Sequence, residues 1–300
     1  MKKILYLINP SANENQAMSS WQKARRQMPH IPREPVNILN IPDLKSFLLD
    51  KNPDIIVIAG GDGTINKICE SIIAFKKKPI LAIFPLGFGN ALAHCLGVET
   101  TKKAAEVIKY AEKSIAIDVF STTVPAFPLC IFTMGVGIDG YIVYKRNYRY
   151  IGFRSYILSA ITGMMQHQKK QLTFTIDHNV TVKATASSLV ITNAPIVGKN
   201  VVISENAKLN DGFLSCILFS TKYSYITNLR LKGFKHPFYS EDNKMYFKAK
   251  HIKIEGDSYV QIDGDSALIN SPIEIAILPK AVHFLCNDNK HIDLLTTPFV

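Results

Sequence analysis

Apolar residues in the first 120 positions come in short continuous runs, and between the runs they recur at helical spacing. The runs predict strands at Lys3–Ile8, Val36–Leu39, Asp54–Ala59, Ile80–Phe84 and Ile115–Phe120. Helices are expected near Gln16–Gln27, Leu44–Leu49, Ile65–Phe75, Ala91–Leu96 and Lys102–Ala111. Strands that are apolar on both faces and joined by helical crossovers make a parallel, Rossmann-like α/β sheet covered on both sides. Ligands of such sheets lie at the carboxyl ends of the strands. Three loops fall there: Asn9–Asn13, Gly60–Thr64 and Gly87–Asn90.

After about residue 125 the pattern changes to short alternating segments: Leu172–Ile176, Val180–Thr185, Ser188–Thr192, Phe213–Phe219, Lys248–Ile254, Tyr259–Ile262 and Ile273–Leu278. Asp-Gly turns at Asp211-Gly212 and Asp263-Gly264 punctuate them, which predicts a mostly antiparallel β domain. Helical insertions are expected around Gly140–His167 and Tyr223–Leu231. The division is therefore 1–124 for an α/β domain and 125–300 for a β-rich domain. A chain of 300 residues is ample for two such cores without disulfides.

The net charge of +11 is spread over both halves and calls for an anionic partner. No nucleic-acid recognition motif accompanies it, so nucleic acid is set aside. Five cysteines without a Cys-x-x-Cys pair read as reduced thiols in a cytoplasmic protein. The apolar run Ile4–Ile8 is too short for a signal sequence. No apolar run is long enough to span a bilayer.

The strongest chemical signal is Gly60-Gly61-Asp62-Gly63-Thr64-Ile65-Asn66, between a buried strand and a helix. Glycines let the backbone N–H groups of such a loop converge on phosphate oxygens at the helix N-terminus. Asp62 would repel phosphate unless Mg²⁺ lay between them. Pro85-Leu86-Gly87-Phe88-Gly89-Asn90, one βα unit later, gives the groove a second wall. Gly135-Val136-Gly137-Ile138-Asp139-Gly140 fits a dinucleotide fingerprint, but no acid follows before Asp177, so that reading is discarded. P-loop, zincin and nucleophile-elbow motifs are absent.

These motifs, with Gly135-x-Gly-x-Asp139, Asp211-Gly212-Phe213-Leu214 and Ile262-Asp263-Gly264-Asp265 in the same order, resemble the diacylglycerol kinase catalytic family, and most of all its bacterial soluble lipid kinases. The resemblance implies a two-domain, NAD kinase-like fold with ATP in a cleft. Asn9, Pro10, Ser11, Ala12, Asn13 and Gly60–Asn66 would hold the nucleotide together with Gly87, Phe88, Gly89 and Asn90, with Asp62 at the phosphates. Asp118 matches an acid facing the cleft, and Asp265 matches the general base. A structural Mg²⁺ would sit on the Asp211 side chain and the carbonyls of Lys208 and Phe213. The last residues, about 287–300, would return to the first domain. The implied reaction is ATP-dependent phosphorylation of diacylglycerol to phosphatidic acid, in phospholipid biosynthesis. NAD kinase, or a catalytically weak nucleotide- or lipid-binding protein of the same fold, is the alternative.

Three positions depart from the family pattern: Phe88 stands for Thr, Ala91 for Asp, and Asp265 for Glu. The glycine-rich loop before the metal turn is reduced to Val197-Gly198-Lys199. From Tyr141 to Gln171 there is no acid, while six basic residues (Lys145, Arg146, Arg149, Arg154, Lys169, Lys170) alternate with six aromatics (Tyr141, Tyr144, Tyr148, Tyr150, Phe153, Tyr156). Such a segment suits an anionic membrane surface and peripheral attachment; a solvated face with tyrosines packed on the β domain is the other reading. The oligomeric state is open, a homodimer included.

Overall fold

The computed structural model describes residues 2–110, 112–149, 163, 165, 166, 169–198, 201–231, 242–270 and 272–287. The chain forms two compact units: Met1–Ile117 with Ile196–Asn200 and Lys280–Val300, and Asp118–Pro195 with Val201–Pro279.

In the first unit β1 (Ile4–Ile8), β2 (Val36–Asn37), β3 (Ile55–Gly60) and β4 (Ile80–Pro85) form a parallel sheet in the order β2-β1-β3-β4. Every residue of β3 is buried, as a central strand with helices on both faces requires. The single turn α1 (Ala12–Asn15) is followed by α2 (Ala17–Gln27), α3 (Leu44–Lys51), α4 (Asp62–Ile72), α5 (Ala91–Cys95) and α6 (Thr101–Tyr110). Trp21 of α2 is fully buried edge-on to Phe84 of β4, with centroids 4.9 Å apart. The second strand ends earlier than its apolar run, because the Asn37 side chain accepts from Leu39 N at 2.9 Å and turns the chain into a 3₁₀ turn. Conversely α4 starts three residues earlier than its apolar pattern, with Gly61 at the N-cap.

The chain leaves the first unit along β5 (Ser114–Thr122), then forms β6 (Leu129–Cys130), β7 (Thr133–Gly137), α7 (Ile138–Arg149), β8 (Lys170–Ile176), β9 (Val180–Ala186) and β10 (Ser188–Thr192). After β11 (Ile196–Val197) come β12 (Val201–Val202), β13 (Leu214–Phe219), α8 (Lys222–Asn228), β14 (Arg230–Leu231), β15 (Lys244–Ala249), β16 (His251–Glu255), β17 (Ser258–Ile262), β18 (Asp265–Ile269) and β19 (Ile273–Leu285). The second unit has an antiparallel sheet ordered β15-β13-β10-β7-β17-β18 and a second antiparallel layer of β9, β8, β16 and the start of β19. Alternate residues of both layers share one core: Leu214, Cys216 and Leu218 from β13, Leu172 and Phe174 from β8, Ile252 and Ile254 from β16. That is the period of two expected of packed sheets.

The expected strand Lys248–Ile254 is two strands in different layers. Asp177 Oδ1 accepts from Lys250 N and His251 N, each at 2.8 Å, and fixes the corner between them. The last expected strand continues to Leu285; from Lys280 it belongs to the first unit, where Phe284 pairs with Leu81 of β4. Gly135 and Gly137 lie within β7 itself. Of the expected 140–167 insertion, α7 is described, whereas Tyr150, Phe153, Arg154 and Tyr156 lie outside the described residues. So do Lys199, the segment 291–295 and positions 288–300 of the expected return. Among the described residues no helix is long and apolar enough to cross a membrane.

Candidate active site

Three loops leave the carboxyl ends of β1, β3 and β4 in the first unit. In the first, Asn9 Oδ1 accepts from Ser11 N at 3.2 Å and Ser11 Oγ at 2.6 Å, a local turn beside Pro10. Asn9 Nδ2 donates to Thr64 Oγ1 at 3.0 Å, which joins this loop to the second. The chain then runs left-handed through Asn13, Glu14 and Asn15, a conformation that Asn tolerates best. Thr64 is buried in the first turn of α4, so its hydroxyl ties loops together.

The second and third loops touch backbone to backbone. A Cβ on Gly61 would stand 3.0 Å from Gly87 Cα. One on Gly87 would stand 2.8 Å from Asn90 Oδ1 and 3.0 Å from Gly61 N. Only glycine at both positions permits this approach. Asn90 holds its own loop, accepting from Gly87 N at 3.0 Å and donating to Gly87 O at 2.8 Å. Asp62 reaches across, its carboxylate accepting from Ala91 N at 3.2 Å and Leu92 N at 3.5 Å. It thereby caps α5 while sitting in the first turn of α4, a place that favours negative charge. Gly63 is exposed, and a Cβ there would meet nothing within 4 Å. Phe88, where the family pattern has Thr, is 44% exposed.

The second unit carries the remaining candidates. Asp263 and Gly264 both have positive φ and form the two-residue turn between β17 and β18, as Asp-Gly favours, with Ile262 opposite Asp265. Asp265 is exposed at the start of β18. Asp263 is a structural anchor: its carboxylate accepts from Ile131 N (2.6 Å), Phe132 N (3.1 Å) and Thr133 N (3.0 Å). Burial, and then the Asp263 charge, hold the Cys130 thiol well above its ordinary pKa.

Asp118 differs from expectation. It is fully buried, its Oδ2 accepting from Gly212 N at 2.7 Å while its N–H donates to Leu209 O at 2.7 Å. It fastens the 209–212 turn to β5 and presents no solvent-accessible carboxylate. Asp211 differs as well. Its Oδ1 accepts from Phe213 N at 3.1 Å, and its Oδ2 takes Lys248 Nζ at 2.6 Å. Lys248 and Lys250 also stand over the Phe213 ring, at 5.8 and 5.5 Å. The one charged group expected to hold a structural ion with the carbonyls of Lys208 and Phe213 is thus already neutralised by an ammonium. The donor set fits a resident lysine better than a resident Mg²⁺.

In the basic segment, Tyr141 and Tyr144 lie against Tyr259 of β17, with centroids 5.1 and 4.7 Å away, and Lys145 sits 5.4 Å over the Tyr141 ring. Sequence reasoning missed Gln261, Tyr225 and Lys248; a polar Gln beside the Asp-Gly turn was the available signal for the first.

A unit whose glycine loops crown a parallel sheet is joined to a β-rich unit bearing an Asp-Gly hairpin, and both match domains of two-domain kinases. Residues 3–122 match the diacylglycerol kinase catalytic domain, and residues 134–286 match the YegS C-terminal NAD kinase beta sandwich-like domain. The chain belongs to this family of lipid kinases, whose membership implies ATP use. It is 26% identical over 251 residues to a Staphylococcus haemolyticus protein provisionally named a lipid kinase, covering 81% of this chain and 79% of that one. The fold is similar to that of a diacylglycerol kinase from Bacillus anthracis (TM-score 0.68, 19% identity, 95% and 97% of the two chains). It is also similar to that of an NAD kinase from Archaeoglobus fulgidus solved with ATP (TM-score 0.52, 15% identity, 97% and 96%).

Proposed function

We propose that this chain transfers the γ-phosphate of ATP to a lipid hydroxyl, converting diacylglycerol to phosphatidic acid. The observation that carries the reading is the backbone contact of Gly61 with Gly87, which brings two phosphate-type loops together with open space at Gly63. Asn9–Asn13, Gly60–Asn66 and Gly87–Asn90 bind the nucleotide, and loop N–H groups take the phosphate oxygens. Asp62 is oriented by the two α5 amides. A carboxylate has about four acceptor positions, so Asp62 suits the Mg²⁺ that accompanies ATP. That ion supplies neutralisation of phosphate charge.

The lipid hydroxyl oxygen bonds to the γ-phosphorus as the bond to the bridging oxygen of ADP breaks, and the hydroxyl proton passes to the Asp265 carboxylate. Asp263 and Asp118 hold the turns of the second unit and do not touch the reacting atoms. The test is transfer of labelled phosphate to diacylglycerol, monoacylglycerol, phosphatidylglycerol, sphingosine and NAD. Label is expected on diacylglycerol, with kcat reduced about 10²- to 10⁴-fold in Asp265→Ala and nucleotide binding retained. Label on NAD, or on no acceptor despite ATP binding, overturns the reading.

A further inference from the structure

Behind the Asp263-Gly264-Asp265 turn lies a buried relay that ends on its backbone. Asp139, the second residue of α7, is 8% exposed. Its Oδ1 accepts from the Tyr225 hydroxyl at 2.6 Å, and its Oδ2 accepts from Gln261 Nε2 at 3.0 Å. The other end of the same amide, Gln261 Oε1, accepts from Gly264 N at 3.0 Å. The amide orientation follows from this pattern, because a carboxylate can only accept and a backbone N–H can only donate. Gln261 is 5% exposed and Tyr225 1%, so the bonds operate away from water.

The packing leaves Asp139 little freedom. A Cβ on Gly135 would overlap the Asp139 carboxylate, so the strand beneath it must be glycine there. Tyr225 in turn is fixed edge-on to Phe219, with centroids 5.4 Å apart. On the opposite side the turn is anchored by the three amides that hold Asp263. Asp263 thus fixes where the turn begins, and Gln261 fixes the Asp263–Gly264 peptide, one residue ahead of Asp265.

We propose that Gln261, oriented by Asp139 and Tyr225, is a positioning residue for the Asp265 carboxylate. This rests on the kinase reading above. A side chain that only filled the sheet face could be replaced by one of equal volume. A relay requires complementary donors and acceptors instead. Gln261→Met keeps the volume and removes both bonds. Gln261→Glu keeps the acceptor for Gly264 N but sets a second carboxylate against Asp139. Adding Asp139→Asn to Gln261→Glu restores complementarity. The amide now at position 139 accepts from Tyr225 through its oxygen and donates through its nitrogen to the carboxylate at position 261, which still accepts from Gly264 N.

The experiment measures ATP-dependent phosphorylation of dioleoylglycerol in mixed micelles, melting temperature, and hydrogen exchange of the Gly264 amide. In Gln261→Met and Gln261→Glu, kcat is expected to fall about ten- to hundredfold, as a displacement approaching 1 Å can produce, with KM for ATP within about twofold. Gly264 exchange should accelerate by at least about tenfold. The Asp139→Asn/Gln261→Glu protein should recover kcat to within about threefold and recover Gly264 protection. Retained kcat despite fast Gly264 exchange overturns the proposal, as does a folded double variant that stays as slow as Gln261→Glu. A wild-type protein that phosphorylates no acceptor overturns the kinase reading itself, whereas normal Gly264 exchange in Gln261→Met removes the relay independently of activity.

Discussion

Gly87→Ala separates the two glycine loops. The added Cβ would overlap Gly61 Cα and would lie 2.8 Å from Asn90 Oδ1 and 3.0 Å from Gly61 N, against the roughly 3.5–4.0 Å of a comfortable contact. The overlap with Gly61 is backbone, so release by Asn90 does not relieve it and the third loop must retreat by about 1 Å or more. Overpacking of this kind costs about 1–3 kcal/mol. Misplacement of a binding loop by about 1 Å can lower turnover about 10²-fold. Gly63→Ala supplies the contrast, because its Cβ meets nothing within 4 Å and the position is helical. There alanine should stabilise the ligand-free protein by about 0.5–1 kcal/mol, while its methyl stands where the phosphates are proposed to lie. The assay pairs thermal denaturation without nucleotide with ATP affinity measured by calorimetry. Gly87→Ala should lower both melting temperature and affinity; Gly63→Ala should raise the first and lower the second. Wild-type ATP affinity in both variants would refute the assignment of these loops to phosphate.

Lys248 in place of an ion makes the nucleotide-free protein indifferent to Mg²⁺: melting in EDTA and in millimolar Mg²⁺ should agree, and Lys248→Met should melt lower because Asp211 loses its partner. A saturable rise in wild-type melting temperature with Mg²⁺, abolished by Asp211→Asn, would count against this. Burial, opposed by the bonds from Tyr225 and Gln261, holds the Asp139 carboxyl above its ordinary range. The native state then binds this proton more tightly than the unfolded chain. The contribution is fully present below the ordinary Asp value and is lost as pH rises through the raised one. The melting-temperature advantage of wild type over Asp139→Asn should therefore grow on acidification from pH 8 toward pH 4; a constant difference contradicts it. Finally, the basic segment predicts binding to vesicles containing phosphatidylglycerol but not to pure phosphatidylcholine. Loss of Arg146 and Arg149 should weaken this by roughly 2 kcal/mol at about 1 kcal/mol per cation near the surface; undiminished binding by that variant excludes these arginines from the contact.

The parallel sheet was legible because its burial is written in uninterrupted apolar runs such as Ile55–Ala59, and the hairpin at Asp263-Gly264 because its turn needs two positive φ values. Long-range polar bonds were not legible. Nothing between Lys248 and Ile254 marks a corner, since Asp177, which makes it, is 73 positions before Lys250. The resemblance alone turns Asp118 toward a cleft, whereas its partner Gly212, 94 positions away, draws it inside. Gly135 and Gly137 look like loop residues because periodicity records size and polarity only. The reason for glycine at 135 is a carboxylate packed on the strand.

The first unit also sets a condition on its own synthesis. Its parallel sheet gains Phe284 beside Leu81 of β4, and Val282, Phe284 and Leu285 are buried. An N-terminal fragment ending near residue 124 would leave that edge of β4 without its partner strand and would offer it to other chains. During translation the edge of β4, complete at Pro85, waits uncovered until β19 re-enters the unit at Lys280, about 10–40 s at roughly 5–20 residues per second. The β-rich unit is complete before the sheet that precedes it in sequence. Truncations that aim to isolate the first unit should therefore join residues 280–287 to its end; a single cut in the chain does not release it.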